Sequence, residues 1–242
     1  MTKLVEAVKD NTIFVLQFLG IVAVIFLVAY AFELYSQRKQ GTKVKILTTR
    51  KIAVTGMFAA ISGVLMLIEV PLLFIAPSFY GLDLSELPVL ICGFAFGPVA
   101  GVGAEFVKII IKLFFKPTST AFVGELANFI VGCSLILPAT ITYRLKKSKK
   151  MALVACAIGT VCITVVGTLF NAIYLLPKFA QMYGWPMEQI IGMGTEINAY
   201  ITDITSFVVL AVAPMNLIKG TLVSAITLLI YKKLSPILKH GE

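Results

Sequence analysis

The sequence is poor in charge. Aspartate, glutamate, lysine and arginine make up 14% of its 242 residues, against roughly 25% in an ordinary soluble domain. That shortage excludes a soluble globular fold. Histidine is nearly missing, with His240 near the C-terminus as its single example. Histidine-dependent triads and zinc sites are therefore not expected. Cysteine is sparse as well. Cys92, Cys133, Cys156 and Cys162 all lie in apolar runs, with no CxxC pair and no metal-ligand spacing. They read as small packing residues. The chain has no GxxxxGK[ST] loop, and hence no P-loop of its own, and no GxSxG elbow.

What the chain has in abundance is apolar length. It is 59% hydrophobic, and several runs reach the roughly 18 residues that cross a bilayer. The net charge of +9 could point to nucleic acid. The basic residues instead cluster in short loops between apolar runs, the pattern of positive-inside topology. No nucleic-acid partner is expected; the lipid bilayer is the solvent.

The first run, Thr12 to Leu34, is followed by Arg38, Lys39, Lys43, Lys45, Arg50 and Lys51. That heavier basic flank predicts an N-terminus outside the cell. Ala29-Tyr30-Ala31 looks like a signal-peptidase site, but the run is too long and its basic flank lies on the wrong side. An uncleaved extra helix is expected. Residues 1–36 form this helix, 37–49 a basic cytoplasmic linker, and 50–242 a compact core. Further spans are expected at Ile52–Ile68, Leu87–Phe115 (two helices broken at Gly97-Pro98), Thr120–Tyr143, Met151–Leu176 and Ile204–Tyr231. Arg144 to Lys150 is the most basic loop and belongs inside, as does the C-terminus with Lys232, Lys233 and Lys239. The fold class is an all-α polytopic membrane protein: a six-helix bundle behind one extra N-terminal transmembrane helix.

Polar residues inside these spans are costly, so each needs a partner, a cavity or a ligand. Asn216 and Lys219 lie three residues apart in the last span, on one helix face, one turn beyond Pro214. Glu125 and Asn128 share a face in the same way. Asn171 and Tyr174 lie near the outer end of their span. The apolar-rich segment from Glu69 to Leu87 is expected to tuck in as a lid, carrying Phe79, Tyr80, Asp83 and Glu86. Asp83-Leu84-Ser85-Glu86 reads as a capping box for the following helix, or as ligand contacts at the lid hinge. Lys108, Lys112 and Lys116 repeat every four residues, and Glu105 can pair with Lys108. That strip is either salt-bridged or a vestibule for a negatively polarised solute. With Phe122 among the aromatics, the outer ends compose a pocket with apolar walls and a few edge-binding amides and charges. No nucleophile stands beside a base, so binding is favoured over chemistry. A lipid-acting intramembrane enzyme and a plain scaffold are the competing readings.

Small residues Gly56, Ala59, Ala60 and Gly63 make a flat stripe on the first core helix. It serves either internal packing or docking to a second membrane protein.

Several stretches together resemble a known family. They are Leu82 to Pro88, Phe96-Gly97-Pro98 with Gly101 and Glu105 to Lys108, Gly124 to Phe129, Asn171 to Pro177, and Pro214 to Gly220. Residues from about 50 to 239 resemble the substrate-binding S components of energy-coupling factor (ECF) vitamin transporters, most closely the riboflavin-specific kind. The resemblance implies a six-helix S-component-like bundle, a vitamin pocket near the outer face, and high-affinity riboflavin uptake. FMN or another vitamin is the alternative solute. It implies no cofactor of its own, with ATP used by partners: a transmembrane coupling subunit and two ATP-binding subunits. By similarity, Asn171, Asn216 and Lys219 bind the flavin's polar groups, with Asn128 and Asp83 as further carry-overs; Glu125, Tyr174 and Phe79 complete the expected ligand-binding set. Gly56, Ala59, Ala60 and Gly63 take the docking role, in a pattern that departs from a plain Ala-xxx-Ala. The helix at Thr12 to Leu34 is not part of the family's six-helix plan.

Overall fold

The computed structural model describes residues 2–41 and 45–239. Lys43 of the basic linker and His240 lie outside the described residues. A short helix α1 (Thr2–Asp10) leads into α2 (Thr12–Gln40). α2 runs on through Gln40, so the segment beyond residue 36 begins as helix rather than as linker. It stops at Gly41, whose left-handed backbone (φ 64°) turns its N–H back onto the carbonyls of Arg38 and Gln37.

The core begins with α3 (Thr49–Leu65), opened by the Thr48 side chain accepting from the Lys51 N–H. A segment carrying the antiparallel pair β1 (Val70–Pro71) and β2 (Gly81–Leu82) follows. Next come α4 (Glu86–Phe96), α5 (Pro98–Phe115) and α6 (Val123–Leu145). α4 is buried along almost its whole length. At about 1.5 Å per residue it is too short to cross a bilayer, as its sequence suggests. The break between α4 and α5 is the expected one: Gly97 takes φ 107°, and Pro98 opens the next helix.

α7 (Lys149–Phe170) passes through a π-helical turn at Asn171–Leu175 into α8 (Leu176–Tyr183). The last crossing has the same plan: α10 (Ile204–Phe207), a π-turn at Val208–Val212, then α11 (Ala213–Lys239). α9 (Met187–Thr195) lies between them. Both π-turns end just before a proline, Pro177 and Pro214. A proline ring clashes with the carbonyl four residues back. The wider turn lets Leu176 bond Asn171 and Ala213 bond Val208, five residues back.

Among the described residues, four helical stretches are long and apolar enough to cross a membrane: Thr12–Gln40, Val123–Leu145, Lys149–Tyr183 and Ile204–Lys233. α3, α4 and α5 are shorter or carry more charge, and they complete the six-helix core. α3 packs on α5 and α4, α6 on α5 and α7, and α11 on α7 and α4.

α2 is not set apart from this bundle. It packs on α5 and α6 and buries Phe18, Val22 and Ala29. Glu33, fully buried on α2, reaches the α4–α5 break. It meets Arg144 Nη2 at 3.2 Å and accepts from the Val99 N–H at 3.3 Å. α5 has no capping side chain of its own, and Glu33 fills that place from a distant helix.

The small-residue stripe on α3 divides. Ala59 and Gly63 face inward, and a Cβ on Gly63 would come within 2.6 Å of Ile111 Cγ2 on α5. Gly56 and Ala60 face outward beside Ala53, Met57 and Val64. The expected single face is thus two faces, one for packing and one left open.

Candidate functional site

The segment after α3 folds over one end of the bundle, as its apolar content predicts. Ala76 is fully buried. Phe79 stacks tilted on Tyr80 at 4.7 Å between ring centres and meets Phe179 of α8 edge-on at 6.5 Å. Tyr80 approaches Phe207 of α10 at 6.4 Å. These contacts tie the lid to the two crossings that contain π-turns. The cavity beneath measures about 170 Å³. The lid gives it Phe79, Tyr80 and Asp83; α6 gives Asn128; the first π-turn gives Asn171; α11 gives Asn216 and Lys219. α6 enters near this cavity and ends at the Arg144 loop, so the cavity and the most basic loop are at opposite ends of the bundle.

Asn171 is locked on both sides. Its Nδ2 donates to the Gly167 carbonyl at 2.7 Å, and its Oδ1 accepts from the Tyr80 hydroxyl at 2.6 Å. Burial pushes the Tyr80 phenol's pKa up, so it stays protonated and a donor. Asn216 lies against α7 where Gly167 has no side chain; a Cβ there would come within 2.6 Å of its Nδ2. That close approach requires glycine.

Lys219 is anchored rather than loose. Its Nζ contacts Asp83 Oδ2 at 3.0 Å and Glu86 Oε2 at 2.9 Å. Glu86 Oε1 meets Lys108 Nζ at 3.1 Å, and Lys108 also contacts Glu105 Oε1 at 2.7 Å and Ser85 Oγ at 2.9 Å. The Glu105–Lys108 pair is the one expected from their spacing. The capping box is not formed. Asp83 Oδ1 accepts from the Ser85 N–H at 2.8 Å, while the Ser85 hydroxyl and the Glu86 carboxylate turn to Lys108. Two buried ammonium groups compete for those oxygens more strongly than a helix end does. Burial alone would raise the Asp83 carboxyl's pKa. The Lys219 ammonium beside it, Lys108 farther in and hydrogen bonds from Ser85 hold it down at about 2.

The structure therefore brings Asn171, Asn216, Lys219, Asn128, Asp83 and Phe79 around one cavity. Glu125 and Tyr174 are not among its lining residues. The Glu125 carboxylate turns to Lys112 at 2.7 Å and to Thr118 at 3.0 Å, because a buried acid beside a lysine and a hydroxyl is best satisfied there. Tyr174 packs on Phe170 at 5.1 Å, and Phe122 sits before α6 with φ 69°. Glu69 and Phe179 also line the cavity. Glu69 closes the first core span and Phe179 lies in an aromatic segment that looks like an ordinary interface anchor, so nothing local singles them out.

The lysine strip is paired along its length. Lys108 is taken by Glu105 and Glu86, Lys112 by Glu125, and Lys116 approaches Glu69 at 3.8 Å. Of the two readings of the strip, the salt-bridged one holds.

Comparison with known proteins places this geometry. The family described as ECF transporter, substrate-specific component, matches residues 50–231, and α1 and α2 precede that range. The riboflavin transporter RibU of Staphylococcus aureus (strain TCH60) is 30% identical over 198 residues, covering 82% of this chain and 97% of that protein. The riboflavin transporter FmnP of Bacillus subtilis (strain 168) is 28% identical over 188 residues, 77% of this chain and 93% of its own length. A solved S component of a bacterial ECF transporter superposes with a TM-score of 0.61 at 32% identity, covering 78% of this chain and 98% of that one. The chain belongs to the ECF transporter substrate-specific component family.

Proposed function

We propose that this protein binds riboflavin at the outer face of the cell membrane and takes it up with an ATP-driven coupling module. One observation carries the reading. Asn171, Asn216 and Lys219, three costly polar residues from two different crossings, meet at one cavity under an aromatic lid. Such a site suits a flat ring with a polar edge: Phe79 and Phe179 offer apolar surface, and the amides and ammonium offer directed hydrogen bonds. The similarity to proteins named riboflavin transporters supports the choice of flavin.

Riboflavin fits better than FMN. Each lysine of the α5 strip already faces a carboxylate, and Glu69 and Asp83 add negative charge to the cavity wall. A phosphate gains little there. Orientation follows from the loops: with Arg144 to Lys150 inside, the cavity and the N-terminus are outside and the C-terminus is cytoplasmic. A transmembrane coupling subunit and two ATP-binding subunits complete the transporter, since this chain carries no P-loop. The coupling subunit docks on the outward face of α3 at Gly56 and Ala60. Ala59 and Gly63 support that face from within.

The site is tested by Asn216→Ala and Lys219→Ala. Each should weaken riboflavin binding by roughly 1–3 kcal/mol, because the flavin's polar edge is left unpaired. FMN and thiamin should compete more weakly than unlabelled riboflavin. Unchanged affinity in both variants contradicts the site, and thiamin outcompeting riboflavin contradicts the solute.

A further inference from the structure

Lys219 is one of two ammonium groups buried side by side, and the two differ in one respect. An ammonium has three N–H donors. Lys108 Nζ has three oxygens around it: it hydrogen-bonds to Ser85 at 2.9 Å and Glu86 at 3.1 Å, and pairs with Glu105 at 2.7 Å. It is completely buried and does not line the cavity. Lys219 Nζ has two: it hydrogen-bonds to Asp83 at 3.0 Å and pairs with Glu86 Oε2 at 2.9 Å, and it lies in the cavity wall with donor capacity left over. Glu86 is the hinge between them: Oε1 faces Lys108 and Oε2 faces Lys219. A lysine stem is long and flexible, so an ammonium held by Asp83 alone could swing about that one contact. The second contact fixes it, and Lys108 in turn fixes the carboxylate that makes that contact. Farther in, Gly132 of α6 leaves the room that the Glu105 carboxylate occupies; a Cβ there would collide with it.

We propose that Glu86 and Lys108 are positioning residues for ligand binding. They do not touch the flavin. They hold Lys219 so that its remaining donor capacity meets the ligand's polar edge. This rests on the riboflavin reading of the cavity. Holding a donor in place before the ligand arrives removes an ordering cost from binding. The cluster joins the lid end at Ser85, α4, α5 and α11, so it also fixes the lid's return strand relative to the binding lysine.

The test is a double-mutant cycle on the full-length protein in detergent, read by quenching of riboflavin fluorescence. Glu86→Gln should weaken binding at least tenfold in the wild-type background and less than twofold in a Lys219→Met background. Lys108→Met should behave in the same way, and Lys108→Arg should recover part of the loss. A residue that only stabilises the bundle would lower affinity equally in both backgrounds. That result, or unchanged affinity for Glu86→Gln, overturns the proposal. Should neither Glu86→Gln nor Lys108→Met give folded protein, Ser85→Ala decides, because it removes a single hydrogen bond from Lys108. A loss of twofold or more that disappears with Lys219→Met supports the role, and no loss overturns it. If wild-type protein does not bind riboflavin, the reading of the cavity fails. If it binds and the cycle is additive, only the positioning role fails.

Discussion

Asp83 lies where the lid, the cavity and the charged cluster meet. Its carboxylate accepts from the Ser85 backbone, contacts Lys219 and lines the cavity. Its pKa is depressed from 3.8 to about 2. The stabilisation linked to that depression is fully present above about pH 4 and is lost as pH falls through 2, since protonation then removes the charge that Lys219 needs. The linked contribution is about 2 kcal/mol. The stability difference between wild type and Asp83→Asn should therefore stay constant from pH 8 to pH 5. Thermal melts across that range measure it. A difference that closes between pH 7 and pH 5 contradicts the assignment. At this scale the sequence was partly legible. Asn171, Asn216 and Lys219 stood out because amides and charges in apolar helices need a reason. Glu86 did not disclose its role, because its partner Lys219 is far along the chain and a local capping reading competed for it. Glu125 was misplaced for the same cause: its charge was visible, but its preference for Lys112 was not.

Among the elements, the two crossings with π-turns do related work. Each places a site amide at or just beyond the widened turn, Asn171 on the first and Asn216 on the second, with Pro177 and Pro214 fixing where the widening falls. The prolines were visible in the sequence, and so was their loosening effect. Which register the backbone would take was not, since that depends on what packs alongside. α2 is the element with the largest difference between expectation and structure. The basic linker expected after it set it apart from the compact core, yet Glu33 inserts into the α4–α5 break and pairs with Arg144. Glu33→Gln leaves the Arg144 guanidinium without its counter-charge and weakens the cap on α5. It should lower the stability of the bundle by about 1–3 kcal/mol, while riboflavin affinity changes little because the pair lies at the end away from the cavity. Thermal melts with and without riboflavin separate the two effects. Equal melting temperatures for Glu33→Gln and wild type would show that α2 does not brace the core.

On the proposed reading, the whole molecule has a binding end and a coupling face. The cavity occupies one end, and the open face of α3 with Gly56, Met57 and Ala60 runs along the side of the bundle. The order of the long core helices and the break at Gly97-Pro98 were legible from apolar length and turn residues; the short helices α1 and α9 were not. The division of the α3 stripe was not, because small residues at that spacing suit either an internal or an external neighbour. The outward pair now gives a separable test. Gly56→Leu and Ala60→Leu add bulk only to the open face, where a Cβ on Gly56 meets nothing within 4 Å. They should leave riboflavin binding intact and abolish riboflavin uptake in cells that supply the coupling module. Uptake at the wild-type rate in the double variant would move the docking site elsewhere.

The most direct test of the central claim is a riboflavin titration of the purified full-length protein without ATP. Flavin fluorescence should be quenched in proportion to added protein and saturate at one flavin per chain. Fluorescence that stays unquenched at stoichiometric protein would contradict riboflavin as the ligand of this cavity.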